Sequence, residues 1–160
     1  MQKTGHRRGD KRGEDKSPYE QYILDLARVT RVTKGGKNLS FRVCIILGDR
    51  KGRVGYGVAK GADVQLGVAK AVHQANKNLI TVPLIKDTIP HQVLQKFKAA
   101  IVLLKPAPPG SGIIAGGAVR AVLELAGVPN ISAKILGKTK NKITIVKATF
   151  AALQSFKQNK

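Results

Sequence analysis

The sequence predicts an α+β fold in two small domains. Three short segments between residues 28 and 59 have strand character, are joined by glycine-rich turns, and precede an apolar stripe at helical spacing. After the joint at Val82-Pro83, strand and helix patterns begin again. The 160 residues carry 29 bases and 9 acids, a net charge of +20. This excess of one sign indicates a polyanionic partner.

The first domain, residues 18–81, is predicted to hold three antiparallel strands at 28–33, 39–47 and 53–59. The middle strand alternates, and we expect one buried face, formed by Leu39, Phe41, Val43, Ile45 and Leu47. Gly55 and Gly57 in the third strand are expected to let another backbone approach it. Cys44, the only cysteine, is interpreted as a small buried hydrophobe.

A helix is predicted to follow the third strand, with Asp63 in its first turn. Its apolar stripe recurs every three or four residues and should pack on the sheet; it consists of Val64, Val68, Ala71, Val72, Ala75 and Leu79. Residues 1–17 are polar and lack apolar periodicity, so they are expected to form a disordered basic tail.

The second domain, residues 84–157, is predicted to have strands at 88–96, 99–105 and 133–136 and helices at 118–126 and 145–156. Residues 106–112 form a loop rich in proline and glycine. Gly127 suits the end of the first of these helices, and Arg120 and Glu124 should pair on its surface. The glycines at 112–117 are explained either by a phosphate-binding loop or by close helix packing.

Two basic turns are the strongest functional signal. Between Arg28 and Lys60 there are nine Lys or Arg residues and one acid, Asp49. Glycine lets the backbone approach a sugar-phosphate chain, and flanking bases neutralise it. The residues expected to bind RNA are Arg28, Arg31, Lys34, Gly35, Gly36, Lys37, Arg50, Lys51, Arg53 and Lys60. Because the seven aromatic residues show no stacking pair of the kind found in RRM domains, recognition should rest on shape and phosphates.

No catalytic constellation is found in the sequence. The three histidines are scattered without partners at dyad or ligand spacing, and nine acids offer little to pair. Gly137-Lys138-Thr139 lacks the earlier glycine of a P-loop, because Ser132 stands there. We therefore expect no enzyme activity, no metal, no cofactor and no small-molecule substrate.

The chain is expected to stay off membranes. Its longest uninterrupted apolar run covers only residues 99–104, and the N-terminus lacks the apolar region of a secretory signal. A single cysteine fits a reducing compartment. The expected location is the cytoplasm, although an organelle is also compatible with the sequence.

Several stretches together resemble the bacterial-type small-subunit ribosomal protein five family. They are Arg-Val-Thr-Arg-Val-Thr-Lys-Gly-Gly-Lys at 28–37, Gly-Asp at 48–49 with Gly-Arg-Val-Gly-Tyr-Gly at 52–57, Thr-Ile-Pro-His at 88–91, Leu-Leu-Lys-Pro-Ala at 103–107, and the glycine-rich stretch with its helix at 112–128. They occur in family order over residues 24–153, which is more specific than any single motif.

The resemblance implies a double-stranded-RNA-binding-like first domain and a second domain with a left-handed βαβ arrangement. It also implies a non-enzymatic constituent of the small ribosomal subunit that binds small-subunit rRNA near the decoding region and contacts proteins four and eight. It adds Thr30 to the candidate RNA-binding residues. Support of subunit assembly and translational accuracy is the expected function. The rival is a free double-stranded-RNA-binding protein acting off the ribosome.

Overall fold

The structure, a computed structural model, describes residues 19–156. The predicted tail at 1–17 lies outside the described residues. The described part has eight strands and three helices, in the order β1 (Glu20–Thr33), β2 (Gly36–Gly48), β3 (Arg53–Gly61), α1 (Val64–Lys77), β4 (Ile80–Thr81), β5 (Val93–Phe97), β6 (Ala100–Pro106), β7 (Ile113–Ile114), α2 (Gly117–Ala126), β8 (Ile131–Ile135) and α3 (Lys142–Gln154). Two sheets with accompanying helices confirm the predicted α+β class.

The first sheet is antiparallel, with strand order β1-β2-β3-β4, and α1 packs on one face. The prediction of three strands missed β4, since its two residues are too few to show a period. The predicted start of β1 at Arg28 was also wrong, and the strand begins at Glu20. The prediction rested on the β-branched run within residues 28–33, and residues 20–27 contain one such residue, Ile23. The register shifts between Ile23 and Asp25, in the part of β1 that the prediction left out.

Glycines bring α1 directly onto β3. A Cβ atom at Gly57 would lie 1.9 Å from the Ala71 carbonyl oxygen, and one at Gly55 would lie 2.5 Å from that of Ala75. The predicted reason for these two glycines is therefore confirmed. Asp63 precedes the first turn of α1 as its N-cap, and its side chain accepts a hydrogen bond from the Val64 N–H.

The second half of β2 is buried on both faces, so the predicted single buried face was wrong there. Val43, Ile45 and Leu47 pack with α1, as expected. Cys44 and Ile46 point the other way and belong to the main core, which they share with residues of the second sheet, α2 and α3. The two halves of the chain thus share one core, and fully burying a side chain such as that of Ile46 contributes roughly 1.5–3 kcal/mol.

The second sheet is mixed, with strand order β5-β6-β8-β7. The pair β7 and β8 is parallel and connected through α2, which forms a βαβ unit, whereas the other pairs are antiparallel. The strand predicted at 88–96 begins only at Val93. Thr88 closes a tight turn over residues 85–88 through an isolated bridge with Ile85, and residues 89–92 are irregular. Lys86 and Asp87 have positive φ in that turn.

The two helices of the second half have clear end signals. Gly127 ends α2, as predicted; it has φ 73°, and its N–H donates to the Glu124 carbonyl. The predicted ion pair between Arg120 and Glu124 is present at 2.8 Å. Helix α3 starts at Lys142 rather than Ile145, because the Asn141 side chain caps it by accepting from the Ile143 N–H.

Cys44 is a buried, free thiol, as the sequence suggested. Its side chain is 1% exposed, and burial, followed by the nearby Asp25 carboxylate, raises the pKa of the thiol to about 11. We expect the folded chain at pH 8 to react with a thiol reagent far more slowly than the urea-unfolded chain, because the thiolate is the nucleophile. Spectrophotometric titration of the thiol checks this, and equal rates in the two states would contradict the burial.

Candidate nucleic-acid interface

The first basic turn lies at the tip of a protruding hairpin. Strand β2 pairs with β3 only from Phe41 onward, whereas its pairing with β1 continues to Thr33 and Gly36. The five outermost residue pairs, from Val29 with Ser40 to Thr33 with Gly36, therefore have strand neighbours only within the hairpin. At about 3.4 Å per residue, this arm extends roughly 15 Å beyond β3.

The arm presents its basic residues on both faces and at its tip. Arg28 and Lys37 have the same alternation phase as the residues that face α1, while Arg31 has the opposite phase. All three are exposed, as are Thr30 and Lys34. A groove of nucleic acid could therefore enclose the arm and meet positive charge from either side.

The turn itself has open backbone. Lys34 and Gly35 form a two-residue connection, and the Thr33 hydroxyl donates to the Gly36 carbonyl at 3.2 Å. No atom lies within 4 Å of a Cβ position built at Gly35 or Gly36, and Gly36 has φ 144°. The backbone here is accessible to a large partner such as a sugar-phosphate chain.

The second basic turn lies at the opposite end of the sheet. Thirteen residues of β2 separate the two turns, which corresponds to roughly 40 Å along the strand. The fold therefore does not combine Lys34 and Lys51 in one compact site. Any RNA that contacts both turns must run along the sheet or consist of separate segments.

The second turn is also tied to α2. The N–H groups of Arg50 and Gly52 donate to the carbonyl oxygens of Leu125 and Ala126 at 3.0 and 2.9 Å. These are carbonyls at the end of α2 that lack partners within the helix. This part of the candidate RNA-binding turn therefore has a structural role that the sequence did not indicate.

Arg50 has a partner within the protein. Its Nε and Nη2 atoms donate to the two carboxylate oxygens of Glu20 at 2.6 and 3.0 Å. This bidentate pair is exposed, so it contributes at most about 1 kcal/mol. A phosphate that binds Arg50 would have to compete with Glu20, whereas Lys51 and Arg53 beside it are exposed and have no ion pair within residues 19–156.

Asp49 organises the second turn. Its Oδ1 atom accepts from the N–H groups of Lys51 at 2.7 Å and Arg53 at 3.0 Å. Desolvation by burial would raise the pKa of this carboxyl, but the backbone hydrogen bonds outweigh it, and the pKa is lowered. The only acid between Arg28 and Lys60 therefore acts on the backbone of the turn.

Replacing Asp49 with alanine should destabilise the fold by about 1 kcal/mol at neutral pH, because two backbone donors lose their acceptor. The folded-state pKa is lowered, so this stability is fully present above the unfolded pKa, near 3.8, and is lost as the pH falls below it. Urea denaturation at pH 7 and pH 3 tests this. Asp49→Asn, which keeps an acceptor oxygen, should be the milder variant at pH 7.

Lys60 lies between the two turns. It pairs with Arg42 across β2 and β3, so both residues have the phase of the face away from α1. Arg42 contacts Asp25 at 3.5 Å, and Lys142 at the start of α3 contacts the same carboxylate at 3.7 Å. The contacts of Asp25 with Arg42 and Lys142 join the first sheet to α3. Lys60 is exposed and takes no part in these contacts.

Asn130 is an important residue that sequence reasoning missed. It is 8% exposed, and its Oδ1 accepts from the N–H groups of Gly110 and Gly112 at 3.0 and 3.1 Å. Its Nδ2 donates to the Asp87 carbonyl, and its own carbonyl accepts from the Thr88 hydroxyl. The residue fixes the proline-rich loop by contacts distant in sequence. Its only local signal was a polar residue between two apolar segments.

The glycines at 112–117 were explained either by a phosphate-binding loop or by close helix packing, and close packing does not account for all of them. A Cβ at Gly116 would lie 3.0 Å from Ile135 Cδ1, which supports close packing there. Gly112 instead has φ 68°, and a Cβ at Gly117 would meet open space. Close packing accounts for Gly116 alone, and backbone conformation accounts for Gly112.

The described part of the chain has neither a grouping of metal-ligand side chains nor a membrane-spanning helix. Between residues 19 and 156, no three His, Cys, Asp or Glu side chains are grouped so that they could hold a metal ion. None of the three helices found there has the length and apolar character needed to cross a bilayer.

Comparison with known sequences identifies the family. Residues 19–83 match "Ribosomal protein S5, N-terminal domain", and residues 95–160 match "Ribosomal protein S5, C-terminal domain". A small ribosomal subunit protein uS5 of Thermotoga neapolitana is 52% identical over 85% of this chain and 76% of its own length. Its counterpart from Thermotoga maritima is 50% identical over 86% and 76%, and that of Persephonella marina is 49% identical over 84% and 69%.

These matches cover both halves of the fold and confirm the resemblance given by the glycine-rich and basic motifs. They also confirm the interpretation that the chain is not an enzyme, since the relatives are ribosomal proteins. The chain belongs to the ribosomal protein S5 family.

Proposed function

We propose that this chain is a structural constituent of the small ribosomal subunit and binds small-subunit rRNA. The observation that carries the proposal is the protruding hairpin, whose exposed basic residues surround an open glycine turn. Membership of the S5 family supports the ribosomal role. The proposed RNA-binding residues are Arg28, Thr30, Arg31, Lys34, Gly35, Gly36, Lys37, Arg50, Lys51, Arg53 and Lys60.

The mechanism is electrostatic and geometric. The arm is narrow enough to enter between RNA segments, and its lysines and arginines neutralise phosphates on both sides. Binding of this kind releases counterions and stabilises a particular arrangement of RNA helices. We propose that the chain supports subunit assembly and translational accuracy in this way. Its proposed position is near the decoding region, in contact with small-subunit proteins four and eight. Its proposed location is the cytoplasm. Residues 18–81 and 84–157 are proposed as its two domains.

The decisive experiment is a sucrose gradient of native lysate, in which the chain is quantified across fractions. We expect stoichiometric co-migration with the small subunit and the complete ribosome that survives a moderate salt wash. A peak confined to light fractions would overturn the ribosomal role and favour the rival, a free double-stranded-RNA-binding protein.

Lys34→Glu should weaken binding to small-subunit rRNA by about tenfold or more without changing thermal stability, because Lys34 is exposed at the turn. For the unmodified protein, six to ten phosphate contacts predict a loss of about 10³–10⁵ in affinity between 50 and 200 mM salt. Removing one contact should reduce the salt slope by about one. Filter binding at several salt concentrations measures both quantities.

The matched control is Lys70→Glu, an identical charge reversal at an exposed position of α1. It should cost much less affinity, since Lys70 lies outside the hairpin. Equal losses for the two variants would show that total charge, and not the arm, determines binding.

A further inference from the structure

A cleft of about 410 Å³ lies between the two halves of the chain, away from the basic hairpin. One wall comes from Tyr56 on β3 and from residues 77–80, which connect α1 to β4. The opposite wall comes from Phe97 at the end of β5 and from α3 residues that include Lys147 and Phe150. Its size is in the range of sites that take a small organic group.

The cleft is cationic. Two of its lining residues are lysines, Lys77 and Lys147, and none of its lining residues carries a carboxylate. From Val64 onward the sequence contains only two acids, Asp87 and Glu124, and Glu124 is paired with Arg120. Neither cleft lysine forms an ion pair within the described range 19–156. Both ammonium groups would therefore attract an anion that enters the cleft.

The cleft is also aromatic, which the sequence did not indicate. The fold brings Tyr56 against Phe150, with ring centroids 4.6 Å apart. The two residues are 94 positions apart in the sequence, and no local pattern predicts their contact. Lys147 Nζ lies 5.7 Å from the centroid of the Phe97 ring and is partly buried. The ring face attracts this ammonium group and favours its position at the cleft wall.

The lining thus combines surface suited to a planar group with charge suited to a negative group. Tyr56, Leu79 and Ile80 offer aromatic and apolar surface for a flat ring, and the two lysines suit a phosphate. The Gln154 amide at the lining can exchange hydrogen bonds with the edge of a base. Asn78 donates from Nδ2 to the Tyr56 carbonyl at 3.3 Å, which leaves its Oδ1 as an acceptor for the same edge. An acidic peptide would satisfy the lysines but would make less use of the aromatic and apolar lining.

We propose that this cleft binds an unpaired nucleotide of RNA, with the base against the wall of Tyr56 and Ile80 and a phosphate between Lys77 and Lys147. The inference rests on the proposed function, since it assumes that RNA is the partner. It adds a second, single-stranded mode of contact to the phosphate binding by the hairpin.

The probe is a fluorescently labelled single-stranded RNA hexamer, measured by anisotropy against the full-length protein at moderate salt. Lys147→Gln and, separately, Phe97→Leu should each weaken hexamer binding by about tenfold. Lys70→Gln removes the same charge from an exposed helical site outside the cleft and should change affinity less than about twofold. Circular dichroism spectra of all variants should coincide with that of the parent protein.

Two outcomes would overturn the proposal. Equal weakening by Lys70→Gln and Lys147→Gln would show general charge attraction and no cleft site. Displacement of the hexamer by a hexaglutamate peptide at equal concentration would show that the site selects acidic chains over bases. In either case, sensitivity of rRNA binding to Lys34→Glu would still support the proposed function, so the two failures can be told apart.

Discussion

Replacing Gly57 with alanine should destabilise the chain by at least about 3 kcal/mol. The added Cβ would lie 1.9 Å from the Ala71 carbonyl oxygen and 2.8 Å from the Ala75 nitrogen, both backbone atoms of α1. These backbone atoms cannot change rotamer as a flexible side chain could, so the whole helix would have to move away from β3. That movement would loosen the small core formed by Val43, Ile45, Leu47, Ala71 and Ala75.

Urea denaturation followed by circular dichroism measures this loss. Gly35→Ala is the matched control, since the same change in the turn between β1 and β2 places a Cβ where nothing lies within 4 Å. The control should stay within about 0.5 kcal/mol of the parent protein. Similar stability of the two variants would contradict the close contact between α1 and β3.

Gly127→Ala should cost about 3 kcal/mol through a different mechanism. Alanine is disfavoured at φ 73° by roughly 1 kcal/mol. Its Cβ would also lie 2.0 Å from the Arg50 carbonyl oxygen, which forces the second turn away from α2. The two hydrogen bonds from the turn to Leu125 and Ala126 would then weaken, each contributing about 1 kcal/mol.

Because this contact joins the two halves, Cys44 reports on it. We expect faster labelling of the Cys44 thiol in Gly127→Ala than in the parent protein, in addition to a lower denaturation midpoint. Gly117→Ala at the first turn of α2 is the control: its Cβ meets open space, and alanine favours helix. Unchanged labelling of Cys44 in Gly127→Ala would mean that the turn can retract without opening the core.

The local patterns were sufficient for most of the strands and helices. Alternation in β2, the helical stripe of α1 and the end of α2 at Gly127 were readable because each depends on neighbouring residues. The start of β1 was not, because the prediction relied on the β-branched residues at 28–33 and residues 20–27 lack such a run. The apolar residues on the second face of β2 were visible in the sequence. The helices that cover them, α2 and α3, lie far from β2 in the sequence, so the burial of this face was not predictable locally.

The candidate site was predictable to a similar extent. The hairpin around Lys34 was recognisable from its lysines and glycines, and the structure gives it the exposure that RNA binding requires. The separation of the two basic turns follows from the length of β2, which the prediction underestimated. The bonds of Asn130 and the docking of Arg50 on α2 are long-range contacts, and no local pattern encodes them.

The shared core has a consequence for how the chain folds as it is synthesised. The first sheet is complete once Thr81 has been made, yet Cys44 and Ile46 then lack the helices that cover them. Until α2 and α3 follow, the nascent chain exposes an apolar sheet face, together with amide groups of the second turn that still need acceptors. The first half therefore should not form a stable fold by itself, and a fragment ending near residue 83 should be prone to aggregate.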